Sequence, residues 1–167
     1  MNFKASFDLQ TQLTTVFCLA VIILSLAILG RKIFVYYKLG NSFWTLSLLF
    51  FLSIFLLVAS ICAYGFSVSR YEVDNDSLKI LGPFYKKEFK KGEISSIEVL
   101  QNEQLKGAVR TLGSGGLFGY WGKFRSPLLG NFVLYGTQDK NHILITLKNG
   151  KKIVITPDNT GIISYLK

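Results

Sequence analysis

The chain has 167 residues, half of them hydrophobic, with a mean hydropathy of +0.36 and a formal net charge of +9. That length holds one domain of about a hundred residues beside any membrane segment, and the hydropathy is high for a soluble protein. Cys18 and Cys62 both lie in apolar runs, form no metal-ligand spacing and read as small packing residues.

Two apolar runs come first, Leu13 to Gly30 and Phe43 to Phe66. A bilayer core is ~30 Å thick, and a helix rising ~1.5 Å per residue needs roughly 20 apolar residues to cross it. The second run meets that length without a charge, and the first nearly does. No small-x-small cleavage site precedes Arg31, so the first run reads as a retained helix and not a cleaved signal. Between the runs, Arg31, Lys32 and Lys38 stand among Phe34, Tyr36, Tyr37, Phe43 and Trp44, an aromatic belt suited to headgroups. Residues 1–66 are therefore expected to form a two-helix transmembrane hairpin, with helices at about 13–30 and 43–66. Orientation stays open, because Lys4, Arg70 and Lys79 on the opposite side balance the three basic residues of the connector.

From Ser67 the period changes, and most of the positive charge follows. Ser67 to Val73 alternates and ends in Asp74-Asn75-Asp76, a turn signal. Ser77 to Leu81 and Phe84 to Phe89 read as strands around a Gly82-Pro83 turn. Glu93 to Leu100 reads as a strand with an irregular start. His142 to Lys148 and Lys151 to Thr156 flank Asn149-Gly150, which suits a hairpin with a type I′ turn. Pro157 to Lys167 reads as a short helix capped by Asp158 or Asn159, with Ile162, Ile163 and Leu166 on its buried side. Residues 67–167 thus predict a mainly-β domain of roughly six or seven short strands, a bent sandwich or partly open barrel with a C-terminal helix.

This order of elements carries a resemblance. A membrane hairpin, then Tyr71-Glu72-Val73-Asp74, Leu78-Lys79-Ile80 and a strand over Ile94 to Val99, resembles the bacterial PH-like membrane proteins. The segment Arg110-Thr111-Leu112-Gly113-Ser114-Gly115-Gly116-Leu117-Phe118-Gly119-Tyr120-Trp121-Gly122-Lys123-Phe124 is similar to the glycine-rich stretch of one bacterial PH subfamily. There it is followed, as here, by Gly130, Tyr135-Gly136-Thr137, a hairpin and Thr156-Pro157-Asp158-Asn159. The resemblance covers most of residues 67–167. It implies a PH-like fold of two antiparallel sheets, nearly orthogonal, with a C-terminal helix closing one end. It implies no shared reaction.

The glycine-rich stretch fails the tests for a phosphate loop. Lys123 is followed by Phe124 where a P-loop needs Ser or Thr, and no G-x-G-x-x-G opens a helix. Its glycines interleave with rings, as in a loop that bends sharply and buries aromatics. Trp121, Lys123 and Arg125 are the residues there suited to a membrane surface or a peptide. The densest basic patch is Lys86, Lys87, Lys90 and Lys91; strand alternation sends Lys86 and Lys90 to one face and Lys87 and Lys91 to the other. Lysines on an edge strand also discourage edge pairing. His142, the one histidine, has no metal or catalytic partner in any recognisable frame, and Ser114 lies outside a nucleophile elbow. Neither apolar run carries an ionisable group of an ion path, although Ser25, Ser47, Ser53 and Ser60 suit helix packing.

These readings exclude a recognisable enzyme, cofactor, metal site, small-molecule substrate or nucleic-acid partner. The expectation is an integral protein of the bacterial cell membrane whose β domain binds or scaffolds a protein partner. Recognition of anionic lipid by Lys86, Lys87, Lys90, Lys91, Trp121, Lys123 and Arg125 is the alternative.

Overall fold

The structure is a computed structural model that describes residues 1–39 and 43–166. A short strand β1 (Asn2–Lys4) opens the chain and leads into α1 (Leu9–Leu39), followed by α2 (Phe43–Gly65). The first helix is longer than the apolar run. Arg31, Lys32 and Lys38 continue it, with the Lys38 ammonium 5.0 Å from the ring centre of Phe34 one turn back. Basic residues are good helix formers, so a change of polarity does not end a helix here. The connector expected over Arg31 to Ser42 is helical through Leu39; its remaining residues 40–42 lie outside the described residues, as do the side chains of Tyr36, Tyr37 and Phe43.

One helix among the described residues, over Leu9–Val35, is long and apolar enough to cross a membrane; in α2 the qualifying apolar stretch is the shorter Phe50–Gly65. The large side chains of both helices face outward, among them Leu13, Phe17, Ile23, Phe51 and Phe55. Ser25 and Ser60 donate to the carbonyls of Val21 and Leu56 one turn back in their own helices.

The rest is mainly β. Strands β2 (Arg70–Val73), β3 (Ser77–Leu81), β4 (Lys86–Lys90) and β5 (Ile94–Val99) lead through the one-turn helix α3 (Asn102–Leu105) to β6 (Val109–Gly116) and β7 (Gly119–Ser126). Then come β8 (Gly130–Gly136), β9 (Ile143–Leu147), β10 (Lys152–Ile155) and the closing helix α4 (Ile162–Leu166). Among the described residues the strands form two sheets, ordered β1-β2-β3-β4 and β5-β9-β10-β8-β7-β6, and no closed barrel. Pairing is antiparallel except between β8 and β10, where Val133 to Tyr135 run parallel to Ile153 to Ile155. The implied PH-like picture of purely antiparallel sheets is corrected at that one seam.

Alternation explains the packing. Ile153 and Ile155 of β10 and Ile143 and Ile145 of β9 face Tyr71, Leu78 and Ile80 of the smaller sheet, and Ile162 and Leu166 of α4 close this core. The intervening Val154 and Leu144 point to the other face and pack with Leu100, Leu129, Phe132 and Leu134. Burying one such aliphatic side chain contributes about 1.5–3 kcal/mol. Buried Tyr71 ties the sheets together: its hydroxyl donates to the Tyr135 carbonyl at 2.6 Å and accepts from Thr156 N at 3.2 Å.

The β9–β10 turn differs from the type I′ expectation. Leu147 N donates to the Lys151 carbonyl and Gly150 N to the Leu147 carbonyl, so the loop holds three residues, 148–150. Gly150 alone of these has positive φ, +80°, the pattern of a turn with a glycine bulge. Asn159 Oδ1 accepts from Gly161 N before α4, whereas Asp158 instead holds Ser6 through both its carboxylate oxygens.

Helices and β domain are joined at several points. β1, which precedes α1, pairs antiparallel with β2, which follows α2. Asp8 caps α1, its Oδ1 accepting from Thr11 N at 2.7 Å while Oδ2 accepts from Asp139 N at 2.9 Å. Burial raises the Asp8 pKa, but the hydrogen bonds from Thr11 and Asp139 and the charge of Lys140 outweigh it and hold the carboxyl below its usual value. Thr11 Oγ1 donates to the Thr137 carbonyl at 3.2 Å, and Phe84 N donates to the Gly65 carbonyl at 3.1 Å.

Candidate binding cleft

The glycine-rich stretch is a hairpin, not the bending loop its composition suggested. β6 and β7 pair along their length, with a bulge between Arg110 and Leu112. Gly113 stands opposite Gly122, at φ +122° and +123°. A Cβ on Gly113 would lie 2.0 Å from the Trp121 carbonyl oxygen, and one on Gly122 would lie 2.1 Å from that of Leu112. The two backbones approach closely here because neither residue has a side chain. At the tip, Phe118 N donates to Thr15 Oγ1 at 3.0 Å, and its ring meets Tyr64 edge-on at 5.5 Å. The tip therefore contacts both α1 and α2.

A six-stranded sheet facing a four-stranded one leaves part of its inner face uncovered, and here that part belongs to β6, β7 and β8. Register places Leu112 opposite Lys123 and Lys123 opposite Val133, while Trp121 lies opposite Tyr135. Those rows floor a cleft of about 370 Å³, bounded by Phe66 at the end of α2 and by Tyr85, Lys87 and Lys151. A volume near 300–1,000 Å³ is usual for a ligand site. The rings form a chain: Trp121 to Phe66 at 5.5 Å, Phe66 stacked on Tyr85 at 6.3 Å, and Tyr85 to Tyr135 at 6.3 Å. The Tyr85 hydroxyl and Trp121 Nε1 are buried without a hydrogen-bond partner. Burial, with the neighbouring Tyr135 and Tyr71, pushes the Tyr85 pKa upward, so the phenol stays a neutral donor.

The residues expected to meet a lipid or partner do not form one surface. Lys87, Trp121 and Lys123 line the cleft together. Lys86 leaves on the outer face of β4, with Nζ 3.7 Å from Glu88 Oε2. Lys90, at the far end of β4, lies beside the β2–β3 turn, and Lys91 donates to the Tyr165 carbonyl of α4. Arg125 shares the face of Trp121 and Lys123 by alternation but lies beyond the cleft. Phe66, Tyr85, Tyr135 and Lys151 join the cleft without any local signal in the sequence.

Elsewhere, His142 occupies a buried position ahead of β9, where its carbonyl accepts from Leu100 N. Burial lowers the pKa of its ring, while Asp139, 3.4 Å away, opposes the shift. No group of three His, Cys, Asp or Glu side chains that could hold a metal occurs among the described residues.

Comparison with known proteins adds one finding. No curated protein and no solved structure matches the chain. The family model of the bacterial PH domain matches residues 69–164, from the start of β2 into α4 and leaving out β1 and both long helices. The chain belongs to the bacterial PH domain family.

Proposed function

We propose that this protein is a non-enzymatic, two-span component of the bacterial cell membrane whose PH domain recruits a protein partner at the bilayer surface. PH domains are generally binding modules without catalysis, in keeping with the domain match. The second span is supported by connectivity. β1 precedes α1 and β2 follows α2, yet the two strands are hydrogen-bonded neighbours. A chain that leaves the domain through α1 has to return to it through α2. The 23 residues of α2 extend about 34 Å, enough for that return.

The observation that carries the protein-partner reading is the free edge of β5. Leu100 N donates inward to the His142 carbonyl at 2.8 Å, so alternation turns the N–H of Val99 outward, away from β9. Beside this edge a groove of about 340 Å³ runs along Lys91, Ile94, Ser96, Ile97 and Leu166 of α4. An extended peptide adding a strand there gains main-chain hydrogen bonds from β5 and side-chain pockets from the groove. The other edges are less suited: β1 has three residues, β4 carries lysines, and β6 is bulged and broken by glycines.

Val99→Pro removes an outward donor while leaving the inward ladder in place. The full chain, purified in mild detergent from its native membrane, is expected to carry a stoichiometric protein that Val99→Pro releases. A partner that stays bound to the variant, or a chain that purifies alone, overturns the reading.

A further inference from the structure

We infer that the cleft between Phe66, Tyr85 and Trp121 is a second binding site, one for an anionic membrane phospholipid. The inference rests on the membrane-spanning reading above, because Phe66 directly follows α2 and that places the cleft at the height of the lipid headgroups.

Charge is the first argument. Lys87, Lys123 and Lys151 line the cleft, and among the described residues no acidic residue lines it and none of the three makes an ion pair. Basic groups gathered without counter-charge beside a bilayer attract anionic headgroups. Hydrogen bonding is the second. Trp121 Nε1 and the Tyr85 hydroxyl are buried and unpaired, and a native protein seldom leaves such donors unmet. A phosphate diester supplies the acceptors that both donors and the lysines lack. Shape is the third. Phe66, Leu112, Trp121, Val133 and Tyr135 make most of the lining apolar, which suits the glycerol and upper acyl region of a lipid and offers nothing to a free ion.

The contacts are specific to this fold. The expected basic strand contributes only Lys87, which alternation places on the inward face of β4 with buried Phe89. Lys123 comes from β7, and Lys151 from the turn before β10. Gly113 and Gly122 line the cleft with backbone alone.

The test is lipid retention by the full chain, measured by native mass spectrometry from micelles containing equal phosphatidylglycerol and phosphatidylcholine of matched acyl chains. One phosphatidylglycerol is expected to stay bound in preference, and the combined Lys87→Gln, Lys123→Gln and Lys151→Gln variant is expected to lose about tenfold or more of that preference. Trp121→Phe keeps the ring and removes only the donor, and a weaker preference is expected there too. Equal retention of both lipids by the wild type, or a preference unmoved by the triple variant, overturns the site. Displacement by glycerol phosphate alone overturns the lipid as its source. Alkaline carbonate extraction of native membranes runs alongside: a chain that stays in the pellet but shows no preference fails this inference alone, whereas an extracted chain fails the membrane reading as well.

Discussion

Two hairpins of this domain use glycine in opposite ways. The β9–β10 hairpin has one, Gly150, at the turn, and both of its strands bury side chains on two faces of the larger sheet. The β6–β7 hairpin has glycines within both strands, at Gly113 and Gly122, and buries few side chains of its own. Its value lies in what it touches: its tip meets α1 and α2, and its face floors the cleft. One hairpin holds the domain together, and the other joins it to the helices. Core packing and contact with the helices are thus separated along the same sheet.

Substitutions sharpen that separation, the largest effect first. Ile145 is fully buried between the sheets, so Ile145→Ala is expected to cost about 2–5 kcal/mol, seen as global loss of stability in denaturant unfolding of the detergent-solubilised chain. Gly122→Ala sets a Cβ against a backbone carbonyl at positive φ and is expected to cost about 3 kcal/mol. Its effect should be local: hydrogen exchange rises in β6 and β7 while β9 and β10 stay protected. Equal deprotection of all four strands breaks the comparison, because the glycine hairpin is then part of the core unit.

Acid provides the smallest effect. The buried His142 ring has its pKa lowered, so the unfolded chain takes up a proton before the folded one does. Its contribution is present above the unfolded value of 6.5 and declines as pH falls from there towards the folded value. Asp8, with a lowered carboxyl pKa, contributes above 3.8 and loses that contribution at still lower pH. Unfolding midpoints are therefore expected to fall on acidification below about pH 6.5, and His142→Gln should flatten the upper part of that decline. An unchanged slope in the variant assigns the decline to other groups.

Much of the domain was legible because its signals are local. Alternation and turn residues marked β2, β3, β5, β9 and β10 near their observed limits, including the irregular start of β5, where the register shifts between Ile94 and Ser96, whereas α4 begins only at Ile162 and not at the expected Pro157. β1 was missed because three residues carry no period and their partner lies beyond two helices. β6 and β7 were missed as strands because glycines erase the alternation that identifies a strand. The cleft was half legible. Lys87, Trp121 and Lys123 stood out by residue type, whereas Phe66, Tyr85, Tyr135 and Lys151 reach it only because one sheet overhangs the other. Lys86, Lys90 and Lys91, close in sequence to Lys87, end on other surfaces, and Arg125 keeps the face of Trp121 and Lys123 but lies beyond the cleft.

The central claim is that the chain crosses the bilayer twice and brings its PH domain back to the side from which α1 departs. Sidedness of two single cysteines tests it most directly, in a background with Cys18→Ala and Cys62→Ala. Lys38→Cys reports the far end of α1, and Ser95→Cys reports an exposed position on β5. With a membrane-impermeant maleimide on intact cells, one is expected to label and the other to label only after permeabilisation. Labelling of both from the same side contradicts the two-span account.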